Sequence, residues 1–153
     1  MIQSQFIKVP YSPHNLYCNE LLNEVNEVNE GWIMFLDDDD MLAHKNVLIE
    51  IAHQIKKLNE DTLLIWQMRF PDGRTLPSLG LLRKKQIKLH HIGSPCFMFH
   101  SKYKTHVTWD SWKCADYRFV KQLSEEIPHM KCIGKTYVLL NNMGDSGNRN
   151  DID

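Results

Sequence analysis

The hydrophobic residues of this chain recur with two spacings, one typical of helices and one typical of strands. Helical spacing predicts amphipathic helices over residues 15–30, about 44–58 and 114–126. Short apolar runs predict strands at residues 5–9, 32–36, 61–70, 95–100 and 131–140. The composition of residues 71–74 predicts a turn, and that of residues 75–94 a loop or hairpin. Because strands and helices alternate in the first half, the pattern predicts parallel strand pairing and the α/β class.

The strand predicted at 32–36 is followed by four consecutive aspartates, Asp37 to Asp40. The strand is apolar on both faces, which is typical of a buried strand. Ligands of open α/β sheets bind at the carboxyl ends of strands, and adjacent carboxylates repel one another unless a cation joins them. Hard divalent cations prefer such oxygens, so the run predicts a metal or ligand site. On an extended backbone Asp37 and Asp39 would share a face, with Asp38 on the other.

Alternative roles account for less of the aspartate run. A solvated acidic turn or a cap for the next helix would require one or two carboxylates, but not four at the end of a buried strand. An EF-hand needs alternating ligands, a central glycine and a terminal glutamate. A metal-dependent nuclease or phosphatase also uses several carboxylates, but the chain lacks a second acidic cluster with interleaved basic residues.

Length and charge indicate one globular domain without a global electrostatic field. The chain has 153 residues, of which 42% are hydrophobic and 24% charged, and its formal net charge is -1. This balance does not favour nucleic acid or an anionic membrane as a partner. A local basic cluster at residues 83–88 is most simply a solvated face, and alternatively a contact for a phosphate or another anion.

The cysteines indicate a reducing compartment. Cys18, Cys96, Cys114 and Cys132 are widely separated and form no Cys-x-x-Cys pair, which disfavours a structural zinc site. No signal peptide is recognised before them, so we expect reduced thiols and a cytoplasmic location. No apolar run approaches the roughly twenty residues that cross a bilayer, which leaves at most a peripheral membrane contact.

The segment from Asn15 to Leu42 resembles the central part of family-two glycosyltransferases with the A-type fold. It carries an Asn-Glu pair in the predicted helix and then Gly-Trp-Ile-x-Phe-Leu-Asp-Asp-Asp-Asp. In that family a helix bearing an asparagine precedes a strand that ends in an Asp-x-Asp motif, which binds a divalent cation and the diphosphate of a nucleotide sugar. The resemblance implies an A-type (nucleotide-diphospho-sugar transferase) fold of the α/β class, with a mixed sheet flanked by helices.

Matched residue by residue, the resemblance makes Asp37 and Asp39 the Asp-x-Asp pair. It implies that Asp39, together with Asp37, binds Mn²⁺ or Mg²⁺. It also implies that Asp37 and Asp38 bind the donor, with Asp38 near the ribose or sugar, and that Asp40 caps the next helix. The cation would offset the diphosphate charge and stabilise the leaving group.

Residues 109–119 resemble the segment in which this family places its catalytic base, at the start of a helix that follows an acceptor-binding strand. Asp116 matches the base best, and Asp110 is the substitute. In an inverting reaction this carboxylate would deprotonate the acceptor hydroxyl. The alternative for Asp116 is a carboxylate placed in the first turn of a helix because the dipole favours it there.

Residues 92–100 resemble the stretch that lines the acceptor side of the family. Gly93 and Ser94 would let the backbone approach a sugar, and Trp112 would stack on the sugar ring, as Trp109 would to a lesser degree. The alternative for both tryptophans is packing in the core, which is the commoner fate of this residue type.

The family's domain begins with a βαβ unit that holds the nucleobase, and the resemblance does not include this unit. We therefore expect an N-terminally truncated single domain over residues 1–145, followed by a flexible tail at 146–153. A sheet edge would be exposed, and a second copy of the chain or a partner subunit would cover it.

Two functions follow from the resemblance. The leading hypothesis is metal-dependent, inverting transfer of a sugar from a nucleotide-diphosphate sugar, such as a UDP-sugar, to a hydroxyl of a saccharide or lipid-linked acceptor in polysaccharide biosynthesis. The alternative is an inactive remnant that binds sugars or nucleotides or serves as a subunit-interaction module. Nucleic acid is not an expected partner.

Overall fold

A computed structural model describes residues 13–25 and 30–143 of the chain. The predicted strand at 5–9, the end of the first predicted helix and the tail at 146–153 lie outside the described residues. The elements, in chain order, are α1 (Tyr17–Glu24), β1 (Trp32–Met34), β2 (Met41–Leu42), α2 (Val47–Ile55), β3 (Thr62–Arg69), β4 (Thr75–Leu76), α3 (Leu79–Arg83), β5 (Phe97–His100), α4 (Ala115–Glu126) and β6 (His129–Leu139). The architecture is mixed α/β.

Most of the predicted elements are confirmed within a few residues of their expected ends. In the region at 75–94, for which the composition predicts a loop or hairpin, β4 does pair antiparallel with β3 across the turn at 71–74. This region also contains the short helix α3, which the sequence pattern does not predict. Its first turn is capped by Ser78, whose Oγ accepts a hydrogen bond from the Leu81 N–H at 3.3 Å.

The sheet is mixed and flanked by helices, as expected, but the parallel pairing expected for the first half of the chain is wrong. The strand order is β1-β5-β3-β6-β2, with β4 attached to β3. Among the strand pairs of the described sheet only β3 and β6 pair in parallel, whereas β5 is antiparallel to both of its neighbours, β1 and β3. The strand β5 lies between β1 and β3, so these two parallel strands do not pair with each other.

The expectation of a strand buried on both faces at 32–36 is wrong. The strand β1 covers only residues 32–34, and all three are partly exposed. Within the described sheet it pairs on one side only, with β5, which leaves it at an edge. The buried strands are β3, from Thr62 to Met68, and β5, at all four of its residues.

Two hydrophobic layers cover the two faces of the sheet. One layer packs α1 and α4 against the sheet through residues such as Leu22, Phe99 and Phe119. The other packs α2 through Val47 and Ile51. Among the described helices, none is both long and apolar enough to cross a membrane.

Candidate functional site

The four aspartates after β1 form a tight turn rather than an extended segment. The Asp40 N–H donates a hydrogen bond to the Asp37 carbonyl at 3.1 Å, and this closes the turn. As a result, one carboxylate oxygen from each of Asp37, Asp39 and Asp40 lies within 4.8 Å of the others. The expected grouping of Asp37 with Asp39 is therefore present, but the turn adds Asp40 to it. Asp40 does not cap α2, because the N-cap residue of that helix is Asn46.

The electrostatics of the turn disfavour a full set of negative charges. Burial is the largest cause that raises the pKa of Asp40, to about 6, and the nearby charges of Asp37 and Asp39 raise it as well. A hydrogen bond from the Asn141 N–H acts in the opposite direction. A cation bound to these oxygens would relieve the repulsion, and three carboxylates are a donor set that suits Mg²⁺ or Mn²⁺.

The segment after β6 closes one side of the acidic turn. The Asn141 N–H lies 3.4 Å from Asp40 Oδ1, and the Asn142 side-chain amide donates a hydrogen bond to Asp39 Oδ2. The composition of the chain after β6 does not single out either residue as part of a site. The signal that could have identified them is a pair of amides directly after the last strand. Because β1, β3 and β6 run in the same direction, the residues after β6 lie at the same edge of the sheet as the acidic turn after β1.

The acidic turn opens into a cleft with a volume of about 470 Å³. Five predicted site residues line it: Asp37, Asp39, Gly93, Ser94 and Asp116. They come from three separate stretches of the chain, which the fold brings together. Asp38 and Trp112 are not among the lining residues; Asp38 is exposed and Trp112 is partly buried.

Asp116 lies in the first turn of α4 and is partly buried at the cleft wall. One of its carboxylate oxygens accepts a hydrogen bond from the Tyr117 N–H at 2.7 Å. The helix begins after Cys114, which has a positive φ of 63° and therefore turns the chain sharply into α4. The helix dipole favours a carboxylate at this point, so the position is compatible with both the catalytic and the structural interpretation.

Asp110, the substitute base, is engaged in holding the loop that leads to α4. Its two carboxylate oxygens accept hydrogen bonds from Arg118 Nε at 2.5 Å and Nη2 at 2.7 Å, and Oδ1 also accepts one from the Trp112 N–H at 2.9 Å. Burial by itself would raise the pKa of Asp110, but the hydrogen bonds outweigh it and leave the pKa lowered. This paired carboxylate is absent from the cleft lining, which favours Asp116 over Asp110 as a base.

Two asparagine side chains position the same loop, one from α1 and one from the 3-10 turn (Pro13–Leu16) that precedes it. Asn19 accepts a hydrogen bond from the Trp109 N–H and donates one to the Trp109 carbonyl, both at 2.8 Å. One turn earlier, Asn15 donates to the Trp112 carbonyl at 2.9 Å. Each side-chain amide thus forms a hydrogen bond that another backbone group would form in a regular helix or strand. Asn15 and Asn19 therefore have a structural role in this chain.

The Trp109 side chain packs mainly in the hydrophobic core. Its ring is buried and stacks on Phe119, with centroids 4.5 Å apart and an interplanar angle of 15°. It also meets Phe35 edge-on at 5.3 Å. Trp109 contributes to the cleft lining as well. Packing against the two phenylalanines therefore accounts for the orientation of this ring without a sugar.

No protein-family model, curated protein or solved structure matches this chain.

Proposed function

We propose that this protein is a metal-dependent, glycosyltransferase-like protein that binds a nucleotide-diphosphate sugar and transfers its sugar to a hydroxyl acceptor with inversion. The observation that carries the proposal is the single cleft that joins the acidic turn to Asp116 and to Gly93 and Ser94. The mixed sheet with flanking helices agrees with the A-type fold that the resemblance implies.

In this proposal Asp37 and Asp39 hold a Mn²⁺ or Mg²⁺ ion, and Asp40 supplies a third oxygen from the same turn. When bound, such an ion would offset the charge of the diphosphate and stabilise it as a leaving group. The exposed Asp38 lies beyond the cleft lining, so the donor role that the resemblance gives it is not part of the proposal.

The opposite side of the cleft would handle the acceptor. Asp116 would accept the proton of the attacking hydroxyl, as a general base does when it lies within hydrogen-bond reach. Gly93 lets the Met68 side chain pack against the backbone of the adjoining wall, because a Cβ there would lie only 2.8 Å from Met68 Cε. Ser94, which follows it, is partly exposed in the cleft and offers a hydroxyl to a sugar.

The binding step is tested by thermal unfolding with Mn²⁺ and UDP, separately and together. A ligand that binds only the folded state stabilises it by about 2.7 kcal/mol at a hundred times its Kd. We expect stabilisation by the pair in the wild-type chain, its loss in Asp39→Ala, and its retention in Asp38→Ala. The Asp38 variant is the matched control, because it removes an equal charge from the same turn but outside the cleft. Absence of any shift with millimolar nucleotide and Mn²⁺ would contradict the proposal.

The chemical step is tested by release of UDP from UDP-sugars in the presence of saccharide acceptors. Asp116→Asn should lower the transfer rate by roughly 10²–10⁴-fold, the usual contribution of a general base, while the Mn²⁺–UDP stabilisation persists. Chelation of the metal should abolish both signals. Binding without transfer by the wild-type chain would instead favour the alternative, a nucleotide- or sugar-binding module without activity.

A further inference from the structure

The wall of the cleft contains a thiol beside an imidazole, and neither group has a part in the proposed transfer reaction. Cys114 Sγ lies 3.5 Å from His90 Nδ1, and both residues line the cleft. They are 24 positions apart in the chain. The fold thus places a nucleophile within reach of a base, which is the arrangement that activates a cysteine.

Two further features of the fold bear on the reactivity of Cys114. Cys114 is the N-cap residue of the 12-residue helix α4, whose N-terminus carries a positive partial charge. The Arg118 guanidinium interacts electrostatically with Cys114. Asp116, two residues away, acts against a thiolate, and Asp110 offsets part of the guanidinium charge through its ion pair with Arg118. The helix terminus and the imidazole act for the thiolate, and reactive cysteines are found in accessible positions of this kind.

Burial raises the pKa of the remaining three cysteines, and at Cys132 it outweighs the opposite effect of Lys85 and Lys131. Burial raises the pKa of the Cys96 thiol to about 12. Burial also raises the pKa of Cys18, where the charge of Asp37 adds to the effect, and that of Cys132. All four cysteines lie among the described residues, and each is a free thiol. The chain therefore carries its own controls for a measurement of thiol reactivity.

We propose that Cys114 and His90 form a nucleophilic thiol site that soft electrophiles modify in preference to the other cysteines. With a thiosulfonate as electrophile, His90 Nδ1 accepts the thiol proton and the sulfur lone pair attacks the sulfenyl sulfur of the reagent. A new S–S bond forms as the bond to the sulfonyl sulfur breaks, and the sulfinate leaves with the electron pair. His90 acts here as the base that raises the thiolate population.

The site is tested by treating the full chain with a limiting amount of methyl methanethiosulfonate and measuring the occupancy of each cysteine by mass spectrometry. We expect Cys114 to react about tenfold faster than Cys132 or Cys18, as a corresponding difference in thiol acidity would produce. Cys96 should react only after unfolding. Similar rates at Cys114 and Cys132 in the wild-type chain would overturn the proposal, and this comparison needs no variant.

The role of the imidazole is tested with His90→Asn. Asparagine tolerates the positive φ of 67° at this position but is not a base. We expect a severalfold slower reaction at Cys114 with no change at Cys132. His53→Asn, an exposed histidine of α2, is the matched control and should leave the Cys114 rate unchanged. An unchanged Cys114 rate in folded His90→Asn would contradict the assignment of the base.

Modification should also obstruct the cleft, a consequence that rests on the proposed function. Protein labelled once, at Cys114, should lose the stabilisation by Mn²⁺ and UDP, and reduction with dithiothreitol should restore it. Full stabilisation of the labelled protein would show that Cys114 lies outside the path of the nucleotide and would overturn this consequence. If unlabelled protein never responds to Mn²⁺ and UDP, the proposed function fails, whereas the labelling rates still decide the thiol site.

Discussion

Asp40 occupies a position that disfavours its charged form, although it belongs to a turn made almost entirely of carboxylates. Its carboxylate lies close to those of Asp37 and Asp39, and it accepts a hydrogen bond from the Asn141 backbone. In the absence of a cation, the repulsion among the three carboxylates lowers the stability of the fold. Clusters of like charges that lower the free energy of unfolding in this way occur in proteins mainly at functional sites.

The pH dependence of stability should therefore show the effect of Asp40. Its pKa is raised from 3.8 to about 6 on folding, so the folded chain binds more protons than the unfolded chain between these values. Stability then falls as the pH rises from about 4 to about 6, and remains lowered above that range. With chelator present, Asp40→Asn should raise the free energy of unfolding by about 1 kcal/mol at neutral pH, a value reduced for solvent screening.

The same variant should be nearly neutral at pH values of about 4, where the wild-type carboxyl is already protonated in the folded state. The measurement is urea unfolding at several pH values, with Asp38→Asn as the control from the exposed side of the turn. An equal gain in stability at all pH values would show that the effect is not due to the ionisation of Asp40.

At the scale of elements, α1 illustrates how a short helix is held in place. Its eight residues are too few for stability on their own, and Leu22 is its single buried residue. The remaining anchorage comes from Asn15 and Asn19, which bind the backbone of the loop at 109–112. The sequence pattern predicts a broad apolar stripe for this helix, but Leu16 and Leu21 are 42% and 47% exposed. Polar contacts therefore replace part of the expected packing.

Replacing Asn19 by alanine should loosen both α1 and the loop that precedes Asp116. The change removes both hydrogen bonds to Trp109 and leaves its partly buried peptide groups without their partners, at a cost of about 1–3 kcal/mol. Asn23→Ala, one turn later on the same helix and exposed, should cost less than about 0.5 kcal/mol. Denaturant unfolding gives both values, and equal losses would argue against the role of Asn19 as a clamp.

At the scale of the whole molecule, the sheet separates two hydrophobic layers, and only one of them borders the cleft. Helix α2 covers the other face, where Ile51 is 2% exposed and Ile49 is 59% exposed. Ile51→Ala should therefore lower the free energy of unfolding by about 2–4 kcal/mol, whereas Ile49→Ala should change it by less than about 0.5 kcal/mol. Because this layer lies across the sheet from the cleft, folded Ile51→Ala should keep its Mn²⁺–UDP response. Loss of the response in a folded variant would show that packing on one face of the sheet affects ligand binding on the other.

The elements with strong periodicity can be predicted from the amino-acid sequence alone. Residues 61–70 and 114–126 are predicted well, because a long apolar run and a regular helical stripe are local signals. The sequence also predicts that Asp37 lies beside Asp39, but it predicts this from an extended backbone, whereas in the structure a turn brings them together. The short helix α3 escapes prediction, since its Gly80 and the preceding Pro77 mark a loop by composition.

The pairing of the strands and the set of distant residues that share the cleft follow from long-range contacts, which local sequence patterns do not encode. The antiparallel β5 lies between β1 and β3, and this arrangement depends on the long connection before it rather than on local pattern. Asp40 joins the acidic cluster because a turn hydrogen bond folds the run back on itself. Asn142 reaches Asp39, and Cys114 reaches His90, because the sheet and α4 bring together parts of the chain that no local spacing relates.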